Sequence, residues 1–312
     1  MISRRLLRIK ILQILYAYFN TDSSDMLKSE KDLIFSTQKA YDLYYYLLLL
    51  IIAIKRYAES RIELARNKML PTYEDLHPNT RFIENEVIKQ IEENPKFKRY
   101  MSERKMSWAT HPELVKSLYN KLIESSYYSE YMERPAGSYD DDRKLLIDFF
   151  SNELEDYDIF YDVLEEQSIF WNDDIDFVVI MAIKTIAELR PNKTAFLPMY
   201  KSDEDREFAF HLLRSVIVHY DEYRKTIEEH VDNWDIERVA QIDNLILHLA
   251  INELIEFPLI PVKVTFDEYL ELAKYYSTPK SSIFINGLLD KIMTDLTEKG
   301  KISKIGKGLI TE

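Results

Sequence analysis

The stretch IDNLILHLAINEL, residues 242–254, places apolar side chains at the spacing of an α-helix. Intervals of three and four residues put these side chains on one side of a helix, which is the pattern of a buried stripe. The members of the stripe are Ile242, Leu245, Ile246, Leu249, Ala250 and Leu254. We predict a helix that begins at Asp235 and ends near FPLIP, residues 257–261, where two prolines interrupt the pattern.

The composition favours the same kind of element throughout the chain. The 312 residues include only five glycines, whereas average glycine usage is about 7%. Leucine, isoleucine, glutamate and lysine are abundant, and no alternating valine-rich run suggests a strand. We therefore predict an all-α protein.

Periodicity, prolines and capping signals divide the chain into further helices. Ser202 precedes three acidic residues at a predicted helix start, and Thr265-Phe-Asp-Glu268 has the form of a capping box. The basic tail at 299–312 is expected to fray. The predicted helices are Ser3–Asn20, Ser29–Asn67, Arg81–Glu93, Pro112–Met132, Asp140–Gln167, Asp173–Leu189, Asp203–Val231, Thr265–Tyr276 and a last helix to Lys299.

Positive charge is concentrated at the start of an otherwise acidic chain. The net charge is −13, yet the first twenty residues carry Arg4, Arg5, Arg8 and Lys10 and no acid. The three arginines fall within about 100° on a helix. We interpret these first turns as projecting from the core, where guanidinium groups bind phosphates well. A basic helix end without function is the alternative.

The motifs of common enzyme classes are absent from the sequence. There is no phosphate-binding glycine loop, no cysteine, no nucleophile elbow and no metal-binding spacing among the six histidines. We predict a protein that is not an enzyme and that has no cofactor and no metal. Eleven acids between Leu145 and Ile183 indicate a solvated acidic surface. The alternatives are a docking surface for a basic protein and a surface that repels nucleic acid.

The apolar run LYYYLLLLIIAI, residues 43–54, covers only about 18 Å as a helix, whereas a bilayer core is about 30 Å thick. We predict a buried core helix rather than a membrane span. Charged residues interrupt the apolar part of the start, which disfavours a signal peptide. The lack of cysteine fits a reducing, cytoplasmic location.

Three motifs occur in order near the end of the chain: ID-x-x-IL-x-LA-x-x-EL, IP-x-KV-x-x-x-E-x-x-ELAK and F-[IV]-NG-x-LDKI. Together with SRRLLRIKILQILYAYF at the start, they resemble the NusB family of transcription antitermination factors. The resemblance covers residues 1–20 and 203–296. It implies a NusB-like helical bundle with core segments 1–20 and 203–298, an acidic helical insertion at 21–200 and a flexible tail at 299–312. The insertion includes YDLYYYLLLLIIAI, residues 41–54, a candidate for the family's second early helix.

The resemblance also implies a function. NusB-like proteins bind single-stranded boxA RNA together with NusE, a small-subunit ribosomal protein, and join RNA polymerase through that complex. The family's basic start corresponds to Arg4, Arg5, Arg8 and Lys10. Tyr16 corresponds to an aromatic in the RNA- and NusE-facing region, and Asp243 to an acidic residue in the partner-facing region. The resemblance further implies that the loop 278–282 lies along the RNA path, where Lys280, Ser281 and Ser282 are candidate phosphate ligands.

The sequence departs from the family pattern at two places. His248 replaces an arginine, which puts a surface contact in doubt, and Phe266–Tyr269 replaces INEA. We interpret Gly287 as a site of close helix crossing, because a mid-helix glycine costs about 1 kcal/mol relative to alanine. Two alternatives to RNA binding stay open: a helical scaffold that binds only protein, and a NusB-like domain of an RNA methyltransferase. The second lacks its cofactor domain and cysteine here.

Overall fold

The structure, a computed structural model, describes residues 2–21, 25–134, 137–191, 193, 196–231, 239–278 and 280–309. Within these ranges the chain forms fifteen α-helices, a 3-10 helix at Gly306–Leu309 and isolated β-bridges but no strand. The predicted all-α class is confirmed. The helices are α1 Arg4–Phe19, α2 Met26–Arg66, α3 Tyr73–Leu76, α4 Glu86–Glu93, α5 Pro95–Arg104, α6 Pro112–Glu124, α7 Ser126–Glu133, α8 Tyr139–Asn152, α9 Asp158–Gln167, α10 Ile175–Glu188, α11 Asp203–Val218, α12 Tyr220–His230, α13 Gln241–Glu256, α14 Val262–Tyr276 and α15 Ser281–Glu298.

The chain divides into two compact units. One comprises Gln38–Met199, and the other combines Ile2–Thr37 with Tyr200–Glu312. The long helix α2 is continuous over 41 residues and contributes to both units. We call Gln38–Met199 the middle unit and the other the core unit.

The middle unit has its own hydrophobic core. Residues 43–48 of α2 are buried, as predicted for a core helix, and Tyr46 stacks on Trp108 with ring centroids 4.0 Å apart. Asp142 is the buried polar centre: it accepts a hydrogen bond from the Tyr131 hydroxyl and another from the Glu86 backbone N–H, both at 2.7 Å. None of the described helices is long and apolar enough to span a membrane.

Three of the predicted helices are each divided in two. Ser125 ends α6 and caps α7, with its hydroxyl accepting from the Tyr128 N–H. The residues between α8 and α9 include Asp156, whose φ of 52° is incompatible with a helix. His219 separates α11 from α12. The helix predicted from Arg81 instead begins at Glu86, because the Asn85 side chain caps it.

Helix α13 is the centre of the core unit and packs against α1, α11, α12, α14 and α15. Because neighbours surround it, every residue from Leu245 to Leu254 is buried and not only the predicted stripe. His248 is among them: its ring nitrogens lie 2.7 and 3.2 Å from the carbonyl oxygens of Asn244 and Tyr220. It therefore makes no surface contact. The start predicted at Asp235 lies outside the described residues.

The capping box predicted at Thr265 is wrong. Helix α14 begins three residues earlier, at Val262, directly after Pro261. The Thr265 hydroxyl lies inside the helix and donates to Glu253 Oε1 at 2.9 Å. Glu268 accepts hydrogen bonds from Arg5 instead of reaching back to the helix start. The side chains of Thr265 and Glu268, which suggested the capping box, thus form hydrogen bonds to neighbouring helices.

The basic tail packs against the end of α13 as far as Leu309, contrary to the prediction that it frays. The Ile305 N–H donates to the Pro258 carbonyl at 3.0 Å, and Lys304 Nζ donates to the Phe257 carbonyl at 3.0 Å. A Cβ on the buried Gly308 would lie 2.0 Å from the Pro258 oxygen, so the close approach requires glycine. The Lys304 cation also lies at the negative end of α13, which favours this docking. Residues 310–312 lie outside the described part.

Gly287 is not a site of helix crossing, contrary to the prediction. It lies on the exposed side of α15, and a Cβ built there would meet no atom within 4 Å. Packing in the described structure therefore does not require glycine at this position.

The two glycines predict opposite effects on stability. Gly287→Ala should raise the free energy of unfolding by about 1 kcal/mol, because alanine is the better helix former and has room. Gly308→Ala should lower the free energy of unfolding by about 1–3 kcal/mol, because the new methyl group forces the tail from Pro258. Urea denaturation of both variants measures the effects. A destabilised Gly287→Ala would contradict the open environment described above.

Candidate nucleic-acid interface

The predicted projection of the basic start from the core is wrong. Helix α1 is buried continuously from Leu6 to Leu12 because it packs against both α11 and α13. The Arg8 and Lys10 residues are only 3% and 1% exposed. Arg4 and Arg5, in the first turn, keep side-chain exposures of 36% and 41%. Only these two of the four predicted cations offer a surface to RNA.

Arg8 forms a buried ion pair with Glu253 of α13. Its Nε and Nη2 atoms donate to the two carboxylate oxygens at 2.8 and 2.9 Å. Thr265 and Tyr269 of α14 donate their hydroxyls to the same carboxylate at 2.9 and 3.1 Å. Burial alone would lower the pKa of Arg8, but the charge and hydrogen bonds of Glu253 raise it above its usual value. One carboxylate thus joins three helices.

Arg4 and Arg5 also have carboxylate partners. Arg4 Nε donates to Asp205 Oδ1 at 2.7 Å, and its guanidinium lies 4.9 Å from the centroid of the Phe208 ring. Arg5 donates twice to Glu268, at 2.9 and 3.0 Å. The hydrogen bond to Glu268 raises the pKa of Arg5 above its usual value. Both guanidinium groups are held in place while remaining partly exposed.

Arg4 and Arg5 line a groove of about 600 Å³. The lining comes from the start of α1, the loop between α13 and α14 with the first turns of α14, and the tail. Its residues are Ser3, Arg4, Arg5, Arg8, Leu259, Ile260, Pro261, Val264, Glu268 and Lys307. A groove that combines several cations with apolar side chains is suited to a sugar–phosphate chain.

The two residues predicted to face a partner differ in exposure. Tyr16 is 43% exposed near the end of α1, about 18 Å along the helix from Arg4. Its ring is available for stacking. Asp243 is only 5% exposed, and its Oδ1 has no hydrogen-bond partner among the described residues. In this structure Asp243 does not present its carboxylate at the surface.

The loop before α15 does not line the groove of Arg4 and Arg5. Lys280 is exposed and Ser282 is half-buried, but Ser281 is buried and its hydroxyl is engaged with Ser277 and Thr278, both at 2.9 Å. Ser282 instead lines a smaller groove between α14 and α15. Pro279 lies outside the described residues.

The sequence did not predict that Glu253 and Glu268 pair with arginines of α1, or that Lys307 lines the groove. Glu253 had a usable signal, because it lies three and four residues after Ala250 and Leu249, within the apolar stripe. A carboxylate on a buried face requires a partner. Lys307 had no such signal.

The acidic region and the histidines are the other places where a metal site could be sought. Among the described residues no group of three or more histidines and acids is arranged to hold a metal ion. Asp174, one of the eleven acids expected on a solvated surface, is instead fully buried.

The buried pair predicts a large difference between neighbouring arginines. Arg8→Met should lower the free energy of unfolding by about 3–5 kcal/mol, because Glu253 would remain buried without its counter-charge. Arg5→Met, on the half-exposed pair, should cost no more than about 1 kcal/mol. Urea denaturation of the two variants provides the comparison. Equal losses would show that the buried Arg8–Glu253 pair contributes no more to the free energy of unfolding than the half-exposed pair of Arg5.

Comparison with known proteins identifies relatives of part of this chain. The NusB family profile matches residues 177–294. A protein named Transcription antitermination protein NusB from Salinibacter ruber is 44% identical over 114 residues, which are 36% of this chain and 71% of the relative. Proteins of the same name from Chloroherpeton thalassium and Thermodesulfovibrio yellowstonii are 39% and 41% identical, over 34% and 30% of this chain and 50% and 61% of their own lengths.

No solved structure matches the chain significantly. The matched range begins in α10 and contains all three sequence motifs, while α1 lies outside it and joins the core unit through α11 and α13. The predicted resemblance is confirmed, and with it the prediction that the chain is not an enzyme, since this is a family of non-enzymatic factors. The chain belongs to the NusB family.

Proposed function

We propose that this chain acts in transcription antitermination by binding single-stranded, boxA-like RNA together with NusE, and so joins RNA polymerase indirectly. The observation that carries the proposal is the groove in which Arg4 and Arg5 remain partly exposed. The names of the relatives support the antitermination role.

The RNA site we propose is smaller than the sequence suggested. Arg4 and Arg5 contact backbone phosphates, Tyr16 stacks on a base or packs against NusE, and Lys280 and Ser282 contact RNA further along. The other predicted ligands, Arg8, Lys10 and Ser281, support the fold beneath these positions, because their side chains are buried. Asp243 is buried in the first turn of α13 and is not part of the proposed surface.

One observation favours the alternative, a helical scaffold that binds protein without RNA. Both exposed arginines are already paired with carboxylates, and a phosphate must compete with these partners. The scaffold predicts that NusE binds and that RNA does not strengthen the complex.

A fluorescence titration of boxA-like RNA, with and without NusE, distinguishes the two functions. We expect binding that weakens with salt, because each phosphate contact contributes about −0.7 to the slope of log affinity against log salt. The Arg4→Met/Arg5→Met variant should flatten this slope by about 1.4. No salt-dependent RNA binding by the wild type, with NusE binding intact, would favour the scaffold.

The matched control is Arg99→Met/Arg224→Met. These arginines also form surface ion pairs, with Glu103 and Glu228, but lie outside the groove. The control should keep the wild-type slope. If both double variants lost the same amount, the effect would reflect overall charge and the groove would not be the RNA site.

A further inference from the structure

The tail following α15 lies beyond the family match, which ends at residue 294, yet it contributes to the groove. Lys304 and Ile305 fasten it to residues 257 and 258, at the end of α13. The Gly308 backbone lies directly against Pro258. Lys307, between these anchors, is exposed and lines the groove. Its position is therefore fixed by the docking of its neighbours.

The charges of the groove distinguish Lys307 from the arginines. Arg4, Arg5 and Arg8 are each opposed by a carboxylate of the core unit. Lys307 has no ion pair within the described residues. When each arginine is counted together with its paired carboxylate, the positive charge that remains at the groove is that of Lys307.

The other lysines of the tail have structural contacts. Lys299 and Lys301 form ion pairs with carboxylates, at 2.7 and 2.9 Å. Lys304 donates to backbone carbonyls at the end of α13. Burial lowers the pKa of Lys304 to about 8, so the group is still protonated at pH 7 and adds to the positive field. Among these four lysines, only Lys307 is both exposed to the groove and without a counter-charge in the described structure.

We propose that the docked tail, Lys304–Leu309, is part of the RNA site and that Lys307 contacts a phosphate of the single-stranded RNA backbone. A phosphate at Lys307 displaces no carboxylate, whereas one at Arg4 or Arg5 competes with an existing partner. The exposed apolar surfaces of Leu259 and Val264 lie in the same groove and offer contact to riboses and base faces. This inference rests on the RNA binding proposed above.

The test compares two lysines of the same tail, with NusE and boxA-like RNA as the probe. Lys307→Gln should flatten the salt slope by about 0.7, the contribution of one phosphate. Lys301→Gln is the matched control, because it removes the same charge from the same segment outside the groove, and it should keep the wild-type slope. A Lys307→Gln slope equal to the wild type, or an equal loss in both variants, would overturn the proposal.

A second variant tests the docking itself. Gly308→Val should displace the tail from Pro258, increase hydrogen exchange of the 304–309 amides and flatten the slope at least as much as Lys307→Gln. Increased exchange with an unchanged slope would overturn the proposal while leaving the proposed function intact. If the wild type bound no RNA in the presence of NusE, both would fail.

Discussion

The buried pair of Arg8 and Glu253 is the constraint on which the core unit depends. Glu253 lies on the central helix α13, where an unpaired carboxylate would cost several kcal/mol. A cation from α1 satisfies it, while hydroxyls from Thr265 and Tyr269 complete its hydrogen bonds. The pair therefore sets the register of α1 and α14 against α13. It also places Arg4, one turn before Arg8, at the rim of the groove.

The sequence predicts the all-α class, the central stripe and the family because these depend on periodicity and on motifs in order. It does not predict how the basic residues of α1 are divided between core and surface. Arg4, Arg5 and Arg8 share one arc of the helix, so no helical geometry distinguishes them. The distinction comes from Glu253, which is 245 positions away from Arg8 in the chain. Contacts of this kind are invisible to a local pattern.

Helix boundaries and roles of polar residues were missed for a related reason. Ser125 and Asn85 begin helices through side-chain caps, although the apolar pattern continues across them. Thr265 and Glu268 have capping-box spacing, but their side chains serve contacts to α13 and α1. Gly287 lies in the middle of a helix, which suggested a helix crossing, but no atom lies within 4 Å of a Cβ built there. In each case a motif admitted two uses, and tertiary contacts decided between them.

The acidic remainder of the chain and a local RNA site are physically compatible. With a net charge of −13, most of the surface repels RNA, and screening confines that repulsion to about 10 Å at 0.1 M salt. A short groove with a small positive excess is then sufficient to orient a strand. Paired arginines suit a groove that orients a strand, because their carboxylate partners hold the guanidinium groups in place. The same carboxylates disfavour nonspecific binding of polyanions. In the function proposed above, RNA displaces these carboxylates only when further contacts, at Tyr16 or from NusE, add to the binding, so the pairing would favour the complete assembly.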